Sequence, residues 1–220
     1  HAHEDHIGAL PFLLKEVNAP VFGTPFTLGV VKHKLEEFDV VAPSGLHEIH
    51  PDEQLKLGPF VLEFIQVGHS VVDGVGIAIR TPYGLILHTG DFKISHSIGN
   101  GLATNVGRFA QCGEKGVLAL LSDSTNIEKE GYTISARAIS EKLARIVDES
   151  KGRIIIALFA SNINRIQQIV NIAVERGKKI VFNGRSIEVA VNIARNMGYI
   201  QIPGGAEIET DDIEIGRAHV

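Results

Sequence analysis

An α/β chain in two unlike parts is what this sequence predicts, and two features predict it. Up to about Ser135, short β-branched runs alternate with loops that carry His, Asp and Gly. Beyond it, apolar stretches of helical period alternate with short apolar runs in a βαβαβ rhythm, the pattern of a parallel sheet with helices on its faces.

The elements follow in order. Ile7, Leu10, Leu13, Leu14 and Val17 recur at helical spacing, so a helix is expected over Ile7–Val17. Pro20–Gly23 reads as a short strand and Phe26–Phe38 as an amphipathic helix ending in "KHKLEEF". Strands are expected at Gln54–Leu57, Phe60–Val67, Val75–Arg80 and Gly84–Thr89, with "TPYG" as the hairpin turn between the last two. A polar loop, "GDFKISHSIGNGL", precedes a helix over Thr104–Gly113 and a buried strand over Val117–Leu121 that ends at "SDSTN". The second part predicts helices Ala136–Glu149, Ile163–Arg176 and Ile187–Met197, with strands Arg153–Phe159, Lys179–Phe182 and Tyr199–Ile202 between and after them.

Composition narrows the function class. The 220 residues are 44% hydrophobic and 21% charged, ordinary for a globular chain. A net charge of −5 supplies no bulk basic field for nucleic acid, although a local groove needs only a few cations. The single cysteine, Cys112, excludes an internal disulfide framework and suits a reducing cytoplasm, the expected location. No apolar run approaches the roughly 18 residues of a membrane span, so no membrane partner is expected.

The first six residues carry the chemistry. His1, His3, Asp5 and His6 form H-x-H-x-D-H. In extended backbone His1 and His3 project to the same side, and Asp5 and His6 can turn the other way into the helix that follows. One loop can thus serve two adjacent cations, Zn²⁺ by its imidazole-rich donors or Mn²⁺ if carboxylates dominate. Two cations need further ligands. "QVGHSVVDG" puts His69 just after a strand, and "LHTGDFK" puts Asp91 at a strand end beside Gly90, placed to bridge. His88 is placed to support that turn. His33, His47, His50 and His96 have no such context and are read as structural.

Further stretches narrow the family. H-x-H-x-D-H with a later His and a later Asp resembles the metallo-β-lactamase superfamily. "GTPFTLGVVKHKLEEF", "GDFKI", "LLSDSTNIEKEGYT", "ALFASNINRIQQI" and "NGRSIEVAVNIARNMGYI" resemble the bacterial ribonuclease J family of its β-CASP nuclease branch, over nearly the whole chain to about Pro203. The resemblance implies a partial metallo-β-lactamase αββα sandwich over residues 1–134, then the start of an inserted Rossmann-like β-CASP domain over 135–214. It implies that His1, His3 and His69 hold one metal and that Asp5, His6 and Asp91 hold the other, with Asp91 bridging. Asp123 of "SDSTN" matches the carboxylate that pairs with a catalytic histidine later in the chain; a turn or helix-capping Asp is the plainer alternative. The implied reaction is hydrolysis of RNA by a two-metal-activated hydroxide, with 5′-to-3′ exonuclease and endonuclease action. The implied partners are a single-stranded RNA, preferably with a 5′-monophosphate, and other copies of the full-length protein. A small-molecule hydrolase on the same scaffold, a lactonase or thioesterase, is the alternative, against which the α/β stretch after Ser135 counts.

In "FASN" and "NGRS" a predicted strand yields to a helix, where backbone N–H groups can meet anions. Ser161, Asn162, Arg185 and Ser186 are therefore candidate phosphate contacts, with helix capping as the alternative for the Ser and Asn residues. The start on His1 is expected to be internal to a longer protein. The ending "IGRAHV" matches the translation of a common sequencing adapter, so residues 215–220 are expected to be a non-native tail and His219 no ligand. The resemblance also implies one more metal-ligating histidine and the acid histidine beyond this chain. Residues 1–220 alone are therefore expected to fold poorly and to lack nuclease activity.

Overall fold

The computed structural model describes residues 1–94, 103–131 and 134–212. His96, Tyr132, Thr133 and residues 215–220 lie outside them. The chain forms two compact units, His1–Ser135 and Ala136–Val220.

The first unit opens with two short helices, α1 (Glu4–Ile7) and α2 (Leu10–Glu16), where a single helix was expected. Pro11 explains the break: it has no N–H to give to the Ile7 carbonyl, so the helix restarts around it. Strand β1 (Val21–Gly23) pairs in parallel with β2 (Leu46–Glu48), which periodicity did not reveal, and α3 (Pro25–Glu37) lies between them in sequence. Ile7, Leu14, Val31 and Leu35 join α1, α2 and α3 in one buried cluster.

The main sheet has five strands in the order β3 (Gln54–Leu57), β4 (Phe60–Gln66), β5 (Val75–Thr81), β6 (Gly84–His88), β7 (Ala119–Leu121). The first four form an antiparallel meander, and β7 joins β6 in parallel. Thr81 pairs with Gly84 across the Pro82–Tyr83 tip, so "TPYG" is the hairpin turn. Helix α4 (Val106–Glu114) covers this sheet through Phe109 and Cys112, packed on Ile65, Ala78, Leu85 and Leu87. The buried Glu63 of β4 adds an ion pair to Arg108 of α4.

Strand β7 is shorter and more open than expected. Leu120 is 61% exposed, because β7 borders only β6 among the described residues.

The second unit contains α5 (Ala136–Glu149), α6 (Ile163–Glu175) and α7 (Arg185–Asn196), close to the predicted helices. Ile163, Ile166, Val170, Ala190, Val191 and Ala194 are buried. The three expected strands do not form a ladder among the described residues. Lys179–Phe182 contributes a single parallel bridge, Ile180 to Glu207. At 199–202 a side chain takes the place of a neighbouring strand: the Gln167 amide accepts from Gln201 N at 2.6 Å and donates to Gln201 O at 3.0 Å. Ile155 and Phe159 stand 89% and 84% exposed, so the 153–159 run has the composition of a buried strand without the cover that would make it one.

Candidate metal centre

The site is built on three loops of the first unit. His1 and His3 lie on the extended approach to α1, whose cap is His3 (ψ 148°), while Asp5 and His6 occupy its first turn. The amides of His6 and Ile7 donate to His3 O at 3.0 and 3.2 Å, which fixes the reversal between the two halves of H-x-H-x-D-H. His69 leaves the end of β4 and Asp91 follows β6.

The donor atoms converge. His1 Nε2 lies 3.0 Å from His3 Nδ1, and His69 Nε2 lies 3.3 Å from the same nitrogen. One oxygen, Asp91 Oδ2, is 3.6 Å from His1 Nε2, 3.7 Å from His69 Nε2 and 3.4 Å from His6 Nε2. His6 Nε2 is also 3.6 Å from Asp5 Oδ2. His1, His3, His69 and Asp91 each offer an atom within 4.8 Å of all the others. Four donors around a tetrahedral cation at about 2.0–2.1 Å stand roughly 3.3 Å apart, so the donor set fits a divalent metal.

Protonation points the same way. Burial, and the neighbouring His69, hold the His3 imidazole below the usual histidine range, against the pull of Asp5 and Asp91. Burial does the same to His69, against the pull of Asp91 and Asp123. Neutral imidazoles are the ligating form. Ser70 Oγ sits 3.1 Å from His3 Nε2, leaving Nδ1 toward the cluster.

The Asp91 turn is locked locally. Gly90 adopts φ +60°, and a Cβ there would stand 2.8 Å from the Val75 carbonyl oxygen. Gly90 N–H donates to His88 Nδ1 at 3.0 Å, and the Thr89 hydroxyl donates to Gly90 O at 2.7 Å. Gly90→Ala is expected to lower stability by at least about 1 kcal/mol and to weaken metal binding, measured by thermal melting and by calorimetric titration with Mn²⁺.

Asp123 follows β7. Its Oδ1 accepts from Thr125 N at 3.0 Å and Thr125 Oγ1 at 2.7 Å, so it does form the local turn that its sequence allowed. Its own N–H donates to Thr89 Oγ1 at 3.0 Å, tying this loop to the Asp91 turn. The Thr125 bonds hold the Asp123 carboxyl below the usual aspartate range, with smaller help from the Phe92 amide and His69. Thr125→Val is expected to move that carboxyl upward, readable by carbon NMR titration between about pH 2 and 6.

The four remaining candidates belong to the second unit. Asn162 caps α6, its Oδ1 accepting from Arg165 N at 3.1 Å, and Ser161 precedes it. Arg185 and Ser186 open α7, where Gly184 N–H already donates to Glu188 Oε1 at 3.1 Å. His33 pairs with Glu37 at 3.7 Å and His47 stacks on Phe22. Sequence reading gave no role to Asp73, Ser70 or Thr104; for Ser70 and Asp73 the signal was that polar residues follow His69 closely in "GHSVVDG".

Comparison with known proteins adds the family. Residues 1–139 match the metallo-β-lactamase superfamily. The chain belongs to that superfamily. Residues 151–219 match the β-CASP domain of ribonuclease J, which agrees with the resemblance read from the sequence. Ribonuclease J of Helicobacter pylori is 41% identical over 214 residues, 97% of this chain and 31% of that protein. Ribonuclease J of Thermus thermophilus is 41% identical over 92% of this chain and 36% of its own length, and ribonuclease J2 of Bacillus subtilis is 37% identical over 97% and 39%. The chain thus spans about a third of the length of these relatives. A solved structure of a protein of unknown function from Enterococcus faecalis shares the fold, with a TM-score of 0.61 and 16% identity over 88% of this chain and 50% of that one. No helix among the described residues is long and apolar enough to cross a membrane.

Proposed function

We propose that this chain is part of a metal-dependent ribonuclease that hydrolyses phosphodiesters of single-stranded RNA, acting from a 5′-monophosphate end and also internally. One observation carries the reading. A single oxygen of Asp91 lies 3.4–3.7 Å from the Nε2 atoms of His1, His6 and His69. That convergence supports a pair of neighbouring cations sharing the Asp91 carboxylate. His1, His3 and His69 would hold the first and Asp5, His6 and Asp91 the second, as Zn²⁺ or Mn²⁺. Bound there, two divalent cations supply Lewis acidity toward the phosphoryl oxygens and an activated water.

The chain's own residues do the rest. The half-buried imidazoles of His3 and His69, held toward the neutral form, would fix one cation position, and the α1 turn separates the two donor sets. Asp123, whose bonds from Thr125 favour its ionised form, would orient the imidazole of an acid histidine that protonates the leaving oxygen. Ser161, Asn162, Arg185 and Ser186 are proposed contacts for RNA phosphates, with Arg185 the strongest candidate by charge. The names of the similar proteins support RNA as substrate. A cytoplasmic setting suits the single buried Cys112.

The test uses the full-length protein that carries this sequence, loaded with Zn²⁺ or Mn²⁺. Shortening of a 5′-monophosphorylated single strand, faster than of its 5′-triphosphorylated or duplex counterpart, is the expected result. Turnover confined to lactones or thioesters, with RNA intact, would overturn the reading.

A further inference from the structure

The two loops that carry His69 and Asp91 come from different strands, yet their donor atoms lie 3.7 Å apart. Something must hold the loops in register. The backbones meet once directly, with Lys93 N–H donating to Gly68 O at 2.7 Å. The remaining two backbone groups of that pair meet a side chain. Gly68 N–H donates to Thr104 Oγ1 at 2.9 Å, and the same hydroxyl donates to Lys93 O at 2.8 Å. Thr104 thereby closes a ring of three hydrogen bonds between the residue before His69 and the residue two after Asp91.

Thr104 is itself anchored. On its two sides, Ala103 O accepts from Gln66 Nε2 at 2.8 Å and Asn105 N donates to Gln66 O at 3.0 Å, both at the end of β4. Asn105 then caps α4. The residue is 9% exposed, so little of it faces water.

We propose that Thr104 is a positioning residue for the metal centre, setting the His69–Asp91 spacing without touching metal or substrate. This rests on the metal-centre reading above. Only Thr or Ser fits the role, because the position needs one donor and one acceptor on the same short side chain. Thr104→Val keeps the shape and removes both bonds, while Thr104→Ser keeps both.

The experiment compares the full-length protein and these two variants by calorimetric titration of the metal-free forms with Mn²⁺, alongside circular dichroism. Thr104→Val is expected to bind Mn²⁺ about 10- to 100-fold more weakly with an unchanged far-ultraviolet spectrum, and Thr104→Ser to return to within a few-fold of the parent. A folded Thr104→Val protein with parental affinity would overturn the proposal. If Thr104→Val does not fold, amide exchange in the metal-free parent decides: the Gly68 amide must be as protected as those of β4 and β5, and free exchange there sinks the clamp. A parent that binds Mn²⁺ but leaves RNA intact refutes the ribonuclease reading alone and leaves the Thr104 comparison standing.

Discussion

Asp91→Asn is expected to leave the full-length protein with at most one bound divalent cation and to cut RNA hydrolysis by more than about 100-fold. Partners that merely orient a metal ligand already account for about 10–100-fold, and the role proposed for Asp91 is to give an oxygen to both donor sets. Its Oδ2 lies 3.4–3.7 Å from the Nε2 atoms of His1, His6 and His69. The amide keeps the shape but removes the charge, and it can turn N–H groups toward the cluster. Asp5→Asn is the informative partner. Asp5 is 78% exposed at its side chain, with its Oδ2 3.6 Å from His6 Nε2, so its loss is expected to weaken one cation and spare the other. Metal content by mass spectrometry and RNA cleavage, measured on the same preparations, check both. Equal effects of the two substitutions would contradict a bridging role for Asp91.

Asp73→Ala is expected to cost about 2–4 kcal/mol of stability and to loosen the centre as well. Asp73 is 8% exposed and has a left-handed backbone (φ 53°). Its Oδ1 accepts from the Thr24 hydroxyl at 2.9 Å and its Oδ2 from Phe26 N–H at 2.8 Å. Phe26 N–H is one of the first amides of α3, which no earlier carbonyl can satisfy, and Pro25 before it has no N–H at all. The Thr24 hydroxyl also meets Thr27 Oγ1 at 2.9 Å, so removing Asp73 unsettles a buried polar group as a whole. Loss of the buried Phe26 amide's bond to Asp73, at about 1–3 kcal/mol, and of the Thr24 bond, at about 1 kcal/mol with Thr27 still in reach, gives the magnitude. The functional consequence follows from position. Asp73 closes the segment that begins at Gly68, and the Val67 N–H to Gly74 O bond of 2.9 Å draws its two ends together around His69. Denaturant unfolding measures the first effect and Mn²⁺ titration the second. A variant with parental stability would show that the Asp73 bonds add nothing net.

The cluster of His and Asp side chains was legible because metal chemistry restricts residue type and spacing together. Three imidazoles and a carboxylate within six residues have few other uses, and the period of extended chain places His1 and His3 on one side whatever the rest of the fold does. The meander from β3 to β6 was legible for a similar reason: its antiparallel pairing is local, and turns such as "TPYG" carry their own backbone preference. The helices of the second unit announced themselves by their period.

The elements that went unread depend on partners distant in sequence. Strand β2 is three residues with no alternation, and it exists because β1 lies beside it. The runs at 153–159, 179–182 and 199–202 have strand composition, yet a parallel strand is made only by its neighbours. At 199–202 the Gln167 side chain took that place. Asp73 and Thr104 show the same limit at the site. Nothing in "VVDG" or "LATN" marks a buried acceptor or a hydroxyl between two backbones, because each partner is 11 to 49 residues away. Residue type and local period settled which atoms can hold a metal and which segments coil. Long-range hydrogen bonding settled how those atoms are held, because a buried polar group takes its energy from whichever partner folding brings to it.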